Sequence, residues 1–326
     1  MTRTPLTAIG LAAVLALGST GTALAAEAWP TRPLQLIVGD APGGSIDTVA
    51  RLVSEGVAAR LGQPVVVENR PGASGMIASS QVMRAKPDGY TALFSVTGLV
   101  MNPILFPQQA TYDVQKDFKP VAIATESPML LVVNDQVKAD SLDKLIAEGK
   151  ANPGKLSYGS IGQGSPTHIY SAIFGRDADM DWLHVPYQGG GPVMQALLGN
   201  QVQAAFLTYG ITRPHIESGR LRAMAVTGPD RLVSNDRIPT FVESGFPSFK
   251  HSGWMGYFMP AGTPDDRVEA FARAVHEAVQ EPKLRDQLRQ MGLEGDGSGP
   301  QALAETVARD KVRWGDWIAN LGIPIN

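Results

Sequence analysis

The chain has 326 residues, of which 44% are hydrophobic and 18% are charged, and its formal net charge is −3. This length predicts two domains, each large enough for a hydrophobic core of its own. The small negative charge and the lack of a Lys/Arg cluster argue against a nucleic-acid partner. The sequence contains no cysteine, which excludes disulfides and a lipid-modified cysteine.

Residues 1–25 have the pattern of a secretory signal peptide. Arg3 supplies the positive charge, an apolar stretch runs from Ala8 to Leu17, and Ala23-Leu24-Ala25 fits the small-residue cleavage rule. The apolar stretch is too short to span a bilayer. We therefore expect an exported protein cleaved near Ala25 or Ala26, and the lack of cysteine favours the periplasm of a Gram-negative cell.

Strands and helices alternate in the first half of the sequence. Apolar runs ended by glycine or polar residues indicate buried strands, and apolar residues at helical spacing indicate helices. The predicted elements are a strand at Leu34–Val38, a helix that ends at Gly62, a strand at Pro64–Glu68, a helix at Met76–Ala85 and a strand at Tyr90–Ser95.

The second half repeats this order of elements. The predicted elements are a strand at Met129–Val133, a helix capped by Ser141, a segment Leu156–Tyr158, a short helix at Val193–Leu198, strands at Ala204–Leu207 and Arg222–Thr227, and a helix from Val268 to Val279 that Pro282 ends. The alternation predicts an α/β fold with two lobes, each a mainly parallel sheet flanked by helices. We expect lobe 1 to comprise residues 26–127 and 250–326, and lobe 2 to comprise residues 128–249.

Four glycine-rich loops stand out, and each is predicted to follow a strand end. We call them loop 1 (residues 41–44), loop 2 (70–75), loop 3 (159–165) and loop 4 (188–192). Both pairs repeat after 29 residues, which is about one strand–helix–strand unit. Glycine lets main-chain N–H groups approach a ligand closely, so the four loops predict a site for a small anion.

Catalytic and cofactor sites have weaker support. The glycine loops match neither nucleotide-binding fingerprint, and the five histidines lack metal-ligand spacing, so we expect no cofactor and no metal. A serine hydrolase that uses Ser160 or Ser74 with His168 is an alternative, but neither serine lies in a Gly-x-Ser-x-Gly motif.

Two aspartates flank loop 1. Asp47 is expected to bind N–H groups in the first turn of the following helix. Asp40 stands at the tip of the first strand, where open α/β sheets bind ligands. It either caps the helix or points into the cleft, and the sequence leaves both open.

Several motifs resemble the receptor family of tripartite tricarboxylate transporters, the Bug-type periplasmic binding proteins. The resemblance covers the whole mature chain. It is carried by Ala41-Pro42-Gly43-Gly44-Ser45-Ile46-Asp47, Val67-Glu68-Asn69-Arg70-Pro71-Gly72-Ala73-Ser74-Gly75, Tyr158-Gly159-Ser160-Ile161-Gly162-Gln163-Gly164-Ser165, His184-Val185-Pro186-Tyr187-Gln188-Gly189 and Pro260-Ala261-Gly262-Thr263-Pro264.

The resemblance implies two lobes that close on a small solute, with a ligand carboxylate held by loop backbone and water. It implies membrane permease subunits as partners, and we expect a monomer without enzymatic activity. A sensory receptor for a two-component system is the alternative. The ligand-contacting residues implied are Pro42, Gly43, Gly44, Ala73, Ser74, Gly75, Ser95, Thr97, Gly98, Ser160, Gly162, Gly164, Ser165, His168, Gly189 and Gly190. Asp40 is a further candidate contact because of its position at the strand tip.

Asp40 departs from the family pattern, which usually has an aromatic residue at this position. A carboxylate beside a bound carboxylate is repulsive. Our hypothesis is that the solute carries a cationic or hydroxyl group, as an amino or hydroxy acid does, or is not a simple dicarboxylate.

Overall fold

A computed structural model describes residues 29–321. The predicted signal peptide, residues 1–25, lies outside this range. Within residues 29–321, no helix is both long enough and apolar enough to cross a membrane.

The first sheet is built from both ends of the described chain. Its strands have the order β11-β4-β10-β3-β1-β2. The elements around this sheet are β1 (Leu34–Val38), α1 (Ser45–Leu61), β2 (Val65–Asn69), α2 (Met76–Met83), β3 (Thr91–Val96), α3 (Gly98–Leu105), α4 (Val114–Asp117), β4 (Phe118–Ser127), β10 (Gly253–Pro260), α9 (Asp265–Val279), α10 (Pro282–Gln290), β11 (Glu294–Gly295) and α11 (Pro300–Leu321).

The second sheet is built from the middle of the chain. Its strands have the order β7-β6-β8-β5-β9. The elements are β5 (Met129–Asn134), α5 (Leu142–Ala151), β6 (Ser157–Ser160), α6 (Pro166–Asp177), β7 (Leu183–Pro186), α7 (Gly190–Leu198), β8 (Ala204–Thr208), α8 (Tyr209–Glu217) and β9 (Leu221–Val226).

Both sheets are mixed, although the sequence predicted mainly parallel ones. β1 pairs in parallel with β2 and β3, and β6 pairs in parallel with β7 and β8. β10 runs antiparallel to β3 and β4, and β5 runs antiparallel to β8 and β9. The antiparallel strands β4, β5 and β10 stand next to the points where the chain passes between sheets, and β4 and β10 were missed in the sequence.

The chain passes between the sheets at Pro128 and again between β9 and β10. The last helix touches both sides. Leu303 and Val307 of α11 pack in a cluster with Trp254, whereas Trp314 packs edge-on against Tyr170 of α6 with ring centroids 5.3 Å apart. The division into lobes at residues 127/128 and 249/250 stays a prediction, with α11 shared between the two sides.

The predicted helices form because their apolar stripes are buried. The stripe on α9 is fully covered, with Phe271 and Val275 at 0% exposure, and α9 packs against α1. Burial of such a side chain stabilises the fold by about 1.5–3 kcal/mol. α1 ends where Gly62 adopts the left-handed conformation, φ 68°, as the sequence predicts.

Candidate functional site

A cavity of about 360 Å³ lies between the two sheets, and loops from both sides form its walls. Loops 1 and 2 follow β1 and β2, and loops 3 and 4 follow β6 and β7, so each loop connects a parallel strand to a helix. The carboxyl ends of neighbouring parallel strands meet at one edge of a sheet, which brings paired loops together.

The residues around loops 1 and 2 pack directly against each other. A Cβ at Gly39 would lie 2.8 Å from the Cα of Gly75, so no larger residue fits at position 39 without displacing backbone. The predicted repeat of 29 residues therefore corresponds to a close backbone approach across β1 and β2.

Asp40 lines the cavity and also caps α1, so the structure combines the two roles that the sequence left open. Its Oδ1 accepts a hydrogen bond from the N–H of Ala41 at 3.0 Å, and its Oδ2 accepts one from the N–H of Ile46 at 3.2 Å. A Cβ at Gly44 would overlap this carboxylate. The glycine loops predicted that the N-terminus of α1 binds a ligand anion. In the structure this N-terminus already binds a carboxylate of the protein.

Asp47 stabilises the same turn through hydrogen bonds to its backbone and to neighbouring side chains. It accepts hydrogen bonds from the N–H of Gly43 at 2.8 Å, from Arg51 at 2.9 Å and from Asn69 at 2.8 Å. Burial alone would raise the pKa of Asp47, but these hydrogen bonds outweigh it and lower the pKa. Asn69 also donates to the main-chain oxygen of Asp40, which fixes the backbone there.

Loop 2 adopts a backbone conformation that is uncommon for residues other than glycine. Ala73 and Ser74 have φ values of 45° and 53°, in the left-handed region. Asn102 of α3 donates to the main-chain oxygen of Ser74 at 3.0 Å and so supports the loop. Ser74 and Gly75 line the cavity, together with Asn102.

Loop 3 approaches the cavity from the second sheet. Ser165 caps α6, since its hydroxyl oxygen accepts from the N–H of His168 at 3.3 Å. The N–H of Gly164 donates to Nδ1 of His168 at 3.1 Å. A Cβ at Gly164 would stand 3.4 Å from the ring of Phe106, so loop 3 lies against α3 and its C-terminal neighbour.

Ser160 pairs with His184 and not with His168, which the hydrolase alternative named. Its Oγ lies 2.7 Å from Nε2 of His184, and it also bonds Gly162. His184 stacks on His168 with ring centroids 3.8 Å apart. Burial, together with the neighbouring His184, lowers the pKa of His168 from 6.5 to about 4, and burial lowers that of His184. Both imidazoles are therefore neutral at physiological pH.

The cavity is lined by about half of the residues that the sequence proposed. Those in its wall are Asp40, Ser74, Gly75, Ser95, Gly98, Gly162, Gly164 and Ser165. Those that do not line it are Pro42, Gly43, Gly44, Ala73, Thr97, Ser160, His168, Gly189 and Gly190. Gly43, Gly44, Thr97, Ser160 and His168 instead contact residues in or next to the lining segments. Neither loop 1 nor loop 4 contributes a residue to the wall.

An apolar part of the wall was not predicted from the sequence. It consists of Ile46, Phe94, Val96, Leu99, Met101, Phe106 and Ile161. Several of these belong to α3, which follows the third strand as α1 follows the first. The junction between β3 and α3 could have indicated these residues, because the other cavity segments also follow a strand. It lacks the glycine pattern of the other loops.

The charge of the cavity wall comes from one residue. Among the lining residues, all within the described part of the chain, Asp40 carries the only ionisable side chain. Within residues 29–321, no cluster of three or more His, Asp or Glu residues could hold a metal ion. The wall therefore binds through backbone amides, hydroxyls, one carboxylate and apolar surface.

Comparison with known protein families identifies the family of this chain. The model of the tripartite tricarboxylate transporter family receptor matches residues 49–323. This chain belongs to that family. The matched range includes the whole second sheet and loops 2, 3 and 4, whereas β1, Asp40 and loop 1 precede it.

Relatives of this receptor include BugT of Bordetella pertussis, which is 34% identical over 92% of each chain. A solved structure of a periplasmic transporter has a TM-score of 0.82 at 35% identity and covers 91% of this chain and 100% of its own. A structure from R. palustris with adipate has a TM-score of 0.81 at 30% identity and covers 90% of this chain and 99% of its own. The predicted family and the two-lobed α/β fold are confirmed, and the receptor is a solute-binding protein.

Proposed function

We propose that this protein is a periplasmic receptor that binds a small carboxylate-bearing metabolite between its lobes and delivers it to the membrane subunits of a tripartite tricarboxylate transporter. The observation that carries the proposal is the cavity of about 360 Å³ whose walls come from both sheets. A relative in the same family has been solved with adipate, a small organic acid.

The proposed contacts are the eight predicted residues that line the cavity: Asp40, Ser74, Gly75, Ser95, Gly98, Gly162, Gly164 and Ser165. Main-chain N–H groups and hydroxyls in loops 2 and 3 supply hydrogen bonds for a ligand carboxylate, and the N-termini of α2 and α6 supply a favourable dipole. A ligand that touches both sheets binds the closed arrangement better than an open one. It therefore shifts the population toward closure by as much as its affinity differs between the two states.

We propose binding without catalysis. Ser160 is fully buried, lies outside the cavity wall and already bonds His184 and Gly162. A substrate carbonyl in the cavity would not reach its hydroxyl. Ser160→Ala is expected to leave any background turnover of generic esters unchanged. An esterase activity that this variant abolishes would contradict the proposal.

The first test is native mass spectrometry of freshly purified protein, followed by a thermal-shift screen of small organic acids. A bound acid is expected to raise Tm in proportion to the logarithm of its concentration above Kd. Uptake of that acid should then be lost in source cells that lack the gene. Unchanged uptake together with a lost transcriptional response to the acid would instead indicate a sensory receptor.

Export and oligomeric state are tested on the same material. We expect the mature protein to start close to Ala26 and to be recovered in the periplasmic fraction, as N-terminal sequencing will show. We also expect a monomer by size-exclusion chromatography with light scattering. A protein that retains residues 1–25 in the cytoplasm would contradict the proposed localisation.

A further inference from the structure

Asp40 determines the charge of the cavity, and its carboxylate is fixed by the fold. Gly44 leaves the space that the carboxylate occupies, because a Cβ there would overlap Oδ2. The N–H groups of Ala41 and Ile46 hold the two oxygens, and Asn69 holds the main-chain oxygen of Asp40.

The carboxylate can still accept hydrogen bonds from a ligand. Two carboxylate oxygens offer about four acceptor positions. The protein uses one on each oxygen, and the side chain remains half-buried in the cavity wall. The remaining positions are free for a donor in the cavity.

A ligand carboxylate next to Asp40 would meet a negative charge that no cationic side chain of the wall neutralises. None of the cavity-lining residues, all of them in the described range, is a lysine, arginine or histidine. Arg51, the cation of the nearby network, is engaged with Asp47 and Asn69 and does not line the cavity. Two like charges in a partly desolvated space repel each other more strongly than they do in water.

We infer that the end of the ligand that faces α1 carries a hydrogen-bond donor, either an ammonium or a hydroxyl group, and that Asp40 selects for it. The inference rests on the proposed function and narrows its ligand class to amino or hydroxy monocarboxylates. The single ligand carboxylate then faces loops 2 and 3, and a short apolar chain fits against Phe94, Leu99 and Phe106. A plain dicarboxylate, by contrast, is rejected by charge.

The test uses isothermal titration calorimetry with probes matched in length. One set is adipate, 6-aminohexanoate and 6-hydroxyhexanoate, and the other is succinate, 4-aminobutanoate and 4-hydroxybutanoate. The variants are Asp40→Asn, which removes the charge but keeps a side-chain oxygen that can accept from the N–H of Ile46, and Asp40→Ser, which removes the whole carboxylate. Asp286→Asn is the control, because Asp286 is an exposed acid on α10 outside the cavity.

In the wild-type protein, a probe with an amino or hydroxyl group is expected to bind more tightly than the diacid of equal length. Loss of a charge-assisted hydrogen bond should weaken its binding by about 10- to 100-fold in both Asp40 variants, while the diacid binds as well or better. Asp286→Asn should leave both affinities unchanged. Thermal unfolding of each variant checks that it is folded.

A wild-type preference for the diacids that both Asp40 variants retain would overturn the inference and leave the proposed function intact. Equal effects on all probes would assign Asp40 a purely structural role and also overturn it. If no probe binds to the wild type or to any variant, the proposed receptor for small organic acids fails, and the inference fails with it.

Discussion

Loops 1 and 3 differ in the side chain that accepts hydrogen bonds from the first turn of the helix that follows each loop. Each connects a parallel strand to a helix, and each is rich in glycine. At α1 the capping group is the carboxylate of Asp40, whereas at α6 it is the neutral hydroxyl of Ser165. At loop 3 a neutral imidazole, His168, accepts the N–H of Gly164.

The same glycine pattern therefore gives a cavity with two unlike ends. The first-sheet side carries a negative charge next to a helix N-terminus, so the two partly cancel. The second-sheet side keeps the helix dipole of α6 without a fixed counter-charge. A ligand with one carboxylate and one donor fits this asymmetry, and the three substitutions below each alter one side of it.

The largest expected effect comes from protonating His168 of α6, whose Nδ1 accepts the N–H of Gly164 in loop 3. Burial, with His184 nearby, holds the pKa of His168 at about 4, below its ordinary value of 6.5. The folded protein therefore favours the neutral form. Its stabilising contribution is complete above pH 6.5 and is lost as the pH falls toward 4, by about 3 kcal/mol in the free energy of unfolding. Urea unfolding at several pH values measures this loss.

His168→Asn is the matched variant for that experiment. Its side-chain oxygen can accept the N–H of Gly164, as Nδ1 of His168 does, but it does not titrate. The variant should lose less stability on acidification, with a remainder from His184, whose pKa burial also lowers. Identical pH profiles for the variant and the wild type would show that His168 is not the group responsible.

The second-largest expected effect comes from displacing the carboxylate of Asp40, which directly precedes loop 1. In Gly44→Ala the new Cβ would overlap the Asp40 carboxylate, which must then leave the N–H of Ile46. Loss of this cap is expected to lower the free energy of unfolding by about 1–2 kcal/mol. Gly191→Ala is the control, because a Cβ at Gly191 meets no atom within 4 Å. Equal changes in the free energy of unfolding of both variants would show that displacement of Asp40 is not the cause.

The smallest effect comes from removing the neutral cap of loop 3. Ser165→Ala should lower the free energy of unfolding by about 1 kcal/mol and also weaken ligand binding, since Ser165 lines the cavity. Ser141→Ala removes the corresponding cap of α5, where the hydroxyl accepts from the N–H of Lys144. That control should lose similar stability with unchanged affinity. If both serines affect binding alike, Ser165 has no specific role in the cavity.

Local patterns predicted much of the fold. The strand at Leu34–Val38, the end of α1 at Gly62 and the cap at Ser141 were read correctly because each depends on a few neighbouring residues. β4 and β10 were missed because long-range pairing, and not local alternation, makes them strands. For the same reason the sheets were expected to be mainly parallel.

The candidate site was predicted less completely than the fold. Loops 2 and 3 line the cavity, whereas the residues of loop 1 and of loop 4 lie outside its wall. Glycine spacing shows where a strand turns into a helix, but not which turns face each other. Likewise, sequence proximity suggested His168 as the partner of Ser160, while the parallel pairing of β6 with β7 brings His184 there.

The sequence by itself determined the α/β alternation, the family resemblance and the glycine turns, since these depend on short stretches of chain. Only the tertiary structure decided that Asp40 both caps α1 and faces the cavity, and that no cation among residues 29–321 accompanies it in the wall. The reason is physical. The charge of a cavity is the sum over side chains from distant segments, and folding alone fixes which of them share one space.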